Sequence, residues 1–133
     1  MYALLIRELI SDEQEQARLF TALSNTPAVA AKAAWCIRWI ASSATDFATR
    51  LAAFAIVEGV FFSSSFAAIF WFRSRGMLPG LCASNELIAR DEGMHTSFAC
   101  LLWHHLEHRA PWEVVKCMLV EAVKLEQDFF EGE

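Results

Sequence analysis

The residues best suited to chemistry in this sequence are Glu92 and His95, spaced as E-x-x-H. Side chains at positions i and i+3 of a helix lie about 60° apart, so both project from one face. A third candidate is Glu58, a lone carboxylate in the apolar run at residues 51–71. A buried charge needs a partner, and carboxylate and imidazole donors suit a non-haem iron or manganese ion. The three residues therefore indicate a metal site between two helices.

The E-x-x-H spacing alone does not specify a metal, because exposed pairs at i and i+3 on a helix explain most occurrences. A metal site is favoured if the helix of Glu58 packs against the helix of Glu92. Bundles that bind two metal ions through carboxylates use two E-x-x-H helices and two helices with one carboxylate each. This sequence supplies one helix of each kind, so the residues themselves predict half of a dinuclear site.

The other titratable residues of the C-terminal third are given no role in this site. The segment at residues 104–108 reads HHLEH and lies near a predicted helix end, where solvated side chains are typical. A metal site completed by His104 and His108 is kept as a separate hypothesis. Glu121 and Glu126 are predicted to face solvent or to pair with arginine.

Helices must position these residues, because no stretch alternates strictly enough to predict a strand. Ser11 and Gln14 have the spacing of a capping box, Thr26 is the expected N-cap before Pro27, and Gly76 can end the fourth helix. The serines at 63–65 can bond to helix carbonyls, which predicts a local distortion of that helix. Six helices are predicted, over residues 2–10, 11–23, 27 to beyond 39, 46–75, from 79–85 to 108, and 111–130.

The composition predicts a single folded domain over residues 1–133. The chain is 56% hydrophobic and 20% charged with a net charge of −5, which excludes a disordered chain and argues against a nucleic-acid partner. The run at 51–71 could span a bilayer by length, but Glu58 and the serines are unfavourable in lipid. A helix buried on all sides in a bundle is expected instead, with no membrane partner.

The four cysteines form no C-x-x-C pair and are predicted to be buried free thiols, as in a cytoplasmic protein.

Longer stretches of the sequence carry a family resemblance. The segment AFAIVEGVFFSSSFAAIFWFRSRGMLPGLCASNELIARDEGMH, together with MYALLIRELISD and AAWCIRWI, closely resembles the small, radical-bearing subunit of class I ribonucleotide reductase of the eukaryotic and viral type. The resemblance implies an all-α, ferritin-like helical bundle that forms a homodimer. It also implies a centre of two iron ions, with manganese as an alternative, which oxidises a nearby tyrosine to a radical. The radical passes to a large subunit that reduces ribonucleoside diphosphates to deoxyribonucleotides.

The family motifs assign roles to individual residues. Glu58 in VEG resembles a terminal ligand of the second iron, Glu92 in RDEGMH the carboxylate that bridges both irons, and His95 the imidazole ligand of the second iron. Asp91 resembles the carboxylate that orients the histidine ligand of the other iron, a kind of contact that fixes the geometry of a ligand.

Three further residues match positions around the centre. Phe62 and Phe66, one and two turns after Glu58, resemble the apolar wall near the metal and the radical. Tyr2, the only tyrosine in the chain, aligns with the radical position.

The chain also departs from the family pattern. The E-x-x-H that precedes the radical tyrosine, the helix with the first iron's aspartate, the tryptophan of the radical path and the C-terminal tail have no counterpart here. We therefore expect a partial bundle that lacks the N-terminal helices and is truncated at both ends, with too few ligands for catalysis. A non-catalytic partner chain that associates with a full-length small subunit is the alternative, and poor solubility of the metal-free monomer is expected from its exposed apolar faces.

Overall fold

A computed structural model describes residues 2–132, apart from the side chains of residues 2, 23 and 24. The described residues contain helices and no strand, which confirms the predicted all-α class. A π-helical turn at Ile37–Ala41 continues the fourth helix. The α-helices are α1 Tyr2–Leu9, α2 Glu13–Phe20, α3 Ala22–Asn25, α4 Pro27–Cys36, α5 Phe47–Val60, α6 Ser63–Ser74, α7 Pro79–His105 and α8 Trp112–Glu131.

The helix starts correct two capping predictions. Asp12, and not Ser11, caps α2, because its carboxylate accepts hydrogen bonds from the backbone N–H groups of Gln14 and Glu15. Thr26 precedes α4 as predicted but makes no side-chain cap bond. Pro27 still occupies the first turn of α4, where the missing N–H of proline leaves no hydrogen bond unmade.

The predicted fourth helix is divided in two. It begins after Asp46, whose carboxylate accepts a hydrogen bond from Thr49 N at 2.8 Å. It breaks at residues 61–62, just before the serines, so that α5 and α6 are separate helices. The structure ends α6 near Gly76, which has a φ of 69° and supplies the left-handed residue that a helix end favours. The last two helices follow the prediction, although α7 ends at His105 and not at residue 108.

The core lies where α5 packs against α7 and α8, and where α4 packs against α8. Small residues allow the close approach, since Ala53, Ala99 and Ala122 are almost completely buried. Larger side chains fill the remaining volume. They are Trp35, Ile56, Phe61 and Met118. The edge-on contact of the Trp35 and Phe61 rings, with centroids 5.1 Å apart, joins α4 to the end of α5.

The apolar run does not form a helix buried on all sides, and that expectation was wrong. Phe47–Ser74 is long and apolar enough to cross a membrane, yet only 17% of its most apolar window is buried. In α5 the buried residues lie along one side, and α6 has no buried residue. Apolar side chains of these helices therefore face outward in the described chain.

The cysteine prediction holds for half of the set. Cys82 is buried and Cys36 half-buried, and all four thiols are free. Cys100 and Cys117 are exposed, contrary to the prediction. Cys117 precedes Met118 on α8, and successive residues of a helix point about 100° apart, so burial of Met118 turns Cys117 outward.

Met118 gives a direct test of this packing. It is fully buried, whereas its neighbour Leu119 is 40% exposed. Met118→Ala should lower the free energy of unfolding by about 2–5 kcal/mol, because it removes a buried side chain and leaves a cavity. Leu119→Ala is the matched control and should have a clearly smaller effect in the same urea titration. Equal losses would contradict the described core.

Candidate metal centre

The candidate site forms where α5 meets α7. Glu58 lies near the end of α5, and Glu92 and His95 lie one turn apart in α7. Gly59 faces Thr96, so that a Cβ atom at residue 59 would lie 3.5 Å from Thr96 Cγ2. This contact brings the neighbouring residues Glu58 and His95 together across the two helices.

The three predicted ligands converge. His95 Nδ1 lies 3.2 Å from Glu58 Oε2 and 3.3 Å from Glu92 Oε2. One potential ligand atom from each residue lies within 4.8 Å of the others. Two carboxylates and one imidazole are hard and borderline donors of the kind that iron and manganese accept, so the residues present fit such an ion.

The side chains are unequally accessible. The exposed fraction of the side chain is 13% for Glu58, 22% for Glu92 and 54% for His95. The carboxylates thus lie between the helices, and the imidazole forms the outer edge of the site.

Electrostatics within the cluster favour added positive charge. Burial raises the pKa of Glu58, and the nearby Glu92 raises it further, while His95 opposes these effects. The pKa of His95 is raised by its hydrogen bonds with Glu58 and then with Glu92, against a smaller effect of burial. A proton or a metal cation would relieve the repulsion between the carboxylates.

The remaining predicted residues do not join the cluster. Asp91 is exposed on α7. Phe62 and Phe66 follow α5 with ring centroids 6.5 Å apart, and their place beside the metal and radical stays a prediction. Tyr2 begins α1, but its side chain lies outside the described part of the chain, so its radical role also stays a prediction.

The histidines of HHLEH are exposed around the end of α7, as predicted. The guanidinium of Arg109 donates to the carbonyls of Trp103 and His104 at 3.2 and 2.8 Å and so caps that helix. Among the described residues, these histidines take no part in a cluster that could hold a metal.

Sequence reasoning misplaced one carboxylate. Glu121 pairs with Arg38, as predicted. Glu126 is buried, with 7% of its surface exposed, and it pairs with Lys32. Its spacing supplied the missed signal, because Glu126 follows the buried Met118 and Ala122 at intervals of four residues on the same face of α8.

Known proteins are similar to this chain over nearly its whole length. A family model described as "Ribonucleotide reductase, small chain" matches residues 1–132. Subunit M2 of the human ribonucleoside-diphosphate reductase is 50% identical over 129 residues, which cover 97% of this chain and 33% of that protein. The small chain of Nicotiana tabacum is 53% identical over 129 residues, with 97% and 39% covered. The chain thus spans about a third of the length of such relatives.

A solved structure resembles the fold. It is the ribonucleotide reductase Rnr4 homodimer from Saccharomyces cerevisiae, with a TM-score of 0.79 and 37% identity, covering 85% of this chain and 36% of that chain. The likeness confirms the predicted ferritin-like helical fold.

The raised pKa values of Glu58 and His95 predict how stability depends on pH. Both groups bind protons more tightly in the folded chain, so their contribution to stability is fully present below the unfolded pKa and is lost as pH rises through the folded one. Between about pH 5 and 8, the urea midpoint of the metal-free chain should therefore fall as the pH rises. Glu58→Gln should flatten this slope, because it removes one of the groups and the main partner of the other.

The control for this titration is Glu113→Gln, which changes an exposed carboxylate in the first turn of α8. It should leave the pH slope unchanged. A steeper slope for Glu58→Gln than for the unsubstituted chain would contradict the electrostatic account of the site.

Proposed function

The chain belongs to the ribonucleotide reductase small-chain family, and from this membership we propose that Glu58, Glu92 and His95 are ligands of the family's iron centre. In the complete small chain, this centre supports the reduction of ribonucleoside diphosphates to deoxyribonucleotides. The convergence of three donor side chains from α5 and α7 carries the proposal. The family is iron-dependent, and manganese suits the same donors.

Each of the three residues has a distinct part in holding the ion. The half-buried carboxylates of Glu58 and Glu92 supply negative charge between the helices, and His95 offers Nδ1 from the outer edge. Binding would require ionised carboxylates and a neutral imidazole, so Glu58 and His95 would release the protons that they retain in the metal-free chain. Iron held by these residues would supply one-electron chemistry with dioxygen. We propose Tyr2 as the side chain that becomes oxidised and Asp91 as the group that orients a histidine ligand of the other ion.

The isolated chain is proposed to be catalytically incompetent. Its described donors suffice for one ion, whereas activation of dioxygen by a dinuclear site needs two ions held close together. The proposed partners are those of the family, namely a second small chain and the large subunit, in the cytoplasm. The similar Rnr4 structure is a homodimer, which supports the proposal of a second small chain as partner.

Metal titration tests the ligand assignment. The full chain should bind about one Fe²⁺ or Co²⁺, and Glu58→Ala or His95→Ala should abolish binding measured by calorimetry and Co²⁺ absorption. The double variant His104→Ala/His108→Ala is the control and should bind as the unsubstituted chain does, because these histidines lie outside the cluster. Loss of binding in the control would support a site completed by HHLEH.

The same samples test whether the isolated chain is catalytically incompetent. After addition of ferrous ion and oxygen, low-temperature electron paramagnetic resonance should show no tyrosyl radical. A radical that disappears in Tyr2→Phe, with about two irons per chain, would refute the proposal that the isolated chain is incompetent.

The outward apolar surface favours a second candidate function, that of a non-catalytic partner chain. No residue of α6 is buried, and Trp71 on that helix is 51% exposed. Such surfaces promote association, so the metal-free chain alone should scatter light strongly at micromolar concentration. Co-expression with a full-length small chain should yield a stable hetero-oligomer. Separate species on size exclusion would rule out this function.

A further inference from the structure

Lys32 of α4 and Glu126 of α8 form a buried ion pair outside the candidate metal centre. Their side chains are only 13% and 9% exposed. A buried pair is weak evidence for stability, because removing two charges from water offsets much of their attraction. The other contacts of these side chains therefore have to explain what the pair does.

Lys32 holds the end of α5. Its ammonium donates a hydrogen bond to the Phe61 carbonyl at 3.0 Å, at the residue that caps the C-terminus of α5. Unpaired carbonyls make a helix C-terminus partly negative, so a cation is favourable there. The same ammonium lies 3.7 Å from the centre of the Phe129 ring, which gives it a second electrostatic contact.

Glu126 holds the start of α6. Its Oε1 atom accepts a hydrogen bond from Ser64 N at 2.8 Å and another from the Ser64 hydroxyl. Phe62, at the N-cap position of α6, supplies no side-chain cap. The Glu126 carboxylate therefore replaces the missing cap, and its negative charge suits the positive end of the helix. Burial raises the pKa of Glu126, but the contact with Lys32 and then the hydrogen bonds from Ser64 outweigh it, so that the pKa is lowered.

The pair thus places a cation on the carbonyl of Phe61, the residue that caps α5, and an anion on the backbone N–H of Ser64 in the first turn of α6. The break at residues 61–62 lies directly between them. Glu58 lies one turn before Phe61, in the turn that the Lys32 contact ends. A change at the break would therefore alter the direction of the Glu58 side chain.

We propose that Lys32 and Glu126 are positioning residues for the metal centre. By capping both helix ends at the break, they fix the last turn of α5 and hold the Glu58 carboxylate beside His95. The inference rests on the proposed function, in which Glu58, Glu92 and His95 bind the metal.

Cobalt titration of the full chain tests the proposal, with Co²⁺ absorption reporting ligand geometry. Glu126→Gln should weaken Co²⁺ binding about tenfold and shift its absorption bands, as loss of a group that orients a ligand does. Glu121→Gln is the matched control, because the Arg38–Glu121 pair links α8 to the π-helical turn that follows α4 but does not contact the break. It should leave both affinity and spectrum unchanged.

Charge exchange separates capping from a simple link between α4 and α8. In Lys32→Glu/Glu126→Lys the ion pair could re-form, but a carboxylate would then face the Phe61 carbonyl and an ammonium would face the Ser64 N–H. Capping therefore predicts no rescue, whereas Lys32→Arg, which keeps the donors and charge, should retain most of the affinity. Hydrogen exchange at residues 61–66 should be faster in Glu126→Gln than in Glu121→Gln.

The outcomes distinguish the proposed metal site from the proposed positioning role of Lys32 and Glu126. Absence of Co²⁺ binding by the unsubstituted chain would refute the proposed function. Normal binding together with an unchanged affinity and spectrum in Glu126→Gln, or rescue by charge exchange, would refute only the positioning role. If Glu126→Gln does not fold, Ser64→Ala removes one hydroxyl from the same contact; it must lower the affinity in the same direction, and unchanged binding would overturn the inference.

Discussion

Two carboxylates and an imidazole meet where α5 packs on α7, and partial burial makes this arrangement unfavourable unless positive charge accompanies it. The raised pKa values of Glu58 and His95 express that requirement, since both groups retain protons more readily in the folded chain. A metal cation meets the same requirement with fixed geometry. Packing, protonation and metal binding are therefore coupled through the Glu58 carboxylate.

The position of the Glu58 carboxylate depends in turn on the break between α5 and α6. An uninterrupted helix from Asp46 onward would place the serines in its interior, where their side chains compete for backbone hydrogen bonds. The structure instead breaks the helix at residues 61–62 and satisfies the exposed ends with Lys32 and Glu126. Opposite charges from two other helices thus stabilise the break, and the packing of α4 and α8 becomes part of the site.

Features that depend on neighbouring residues could be predicted from the sequence, whereas features that depend on contacts between distant residues could not. Helix boundaries at Pro27, Asp46 and Gly76 depend on local backbone chemistry, and the sequence was sufficient to place them. The pairing of Glu92 with His95 follows from helix periodicity, and Glu58 is indicated by its place as a lone carboxylate in an apolar run. The spacing of Glu126 from Met118 and Ala122 signals its burial, but its ion pair could not be inferred, because Lys32 is 94 residues distant in the chain and on another helix. The exposure of α6 likewise depends on which surfaces are covered and not on its own composition.

The exposed surface of α7 connects the apolar faces with the site. Leu87, Met94, Phe98 and Leu101 are each more than half exposed, and their spacing places them within about 40° of one line along the helix. His95 lies about 80° from that line, so the apolar stripe borders the outer edge of the metal donors. Burial of each of these large side chains would contribute about 1.5–3 kcal/mol. Because the stripe borders His95, burial of these side chains would also reduce the exposure of the imidazole, so apolar burial and the environment of the metal donors are linked on one face of α7.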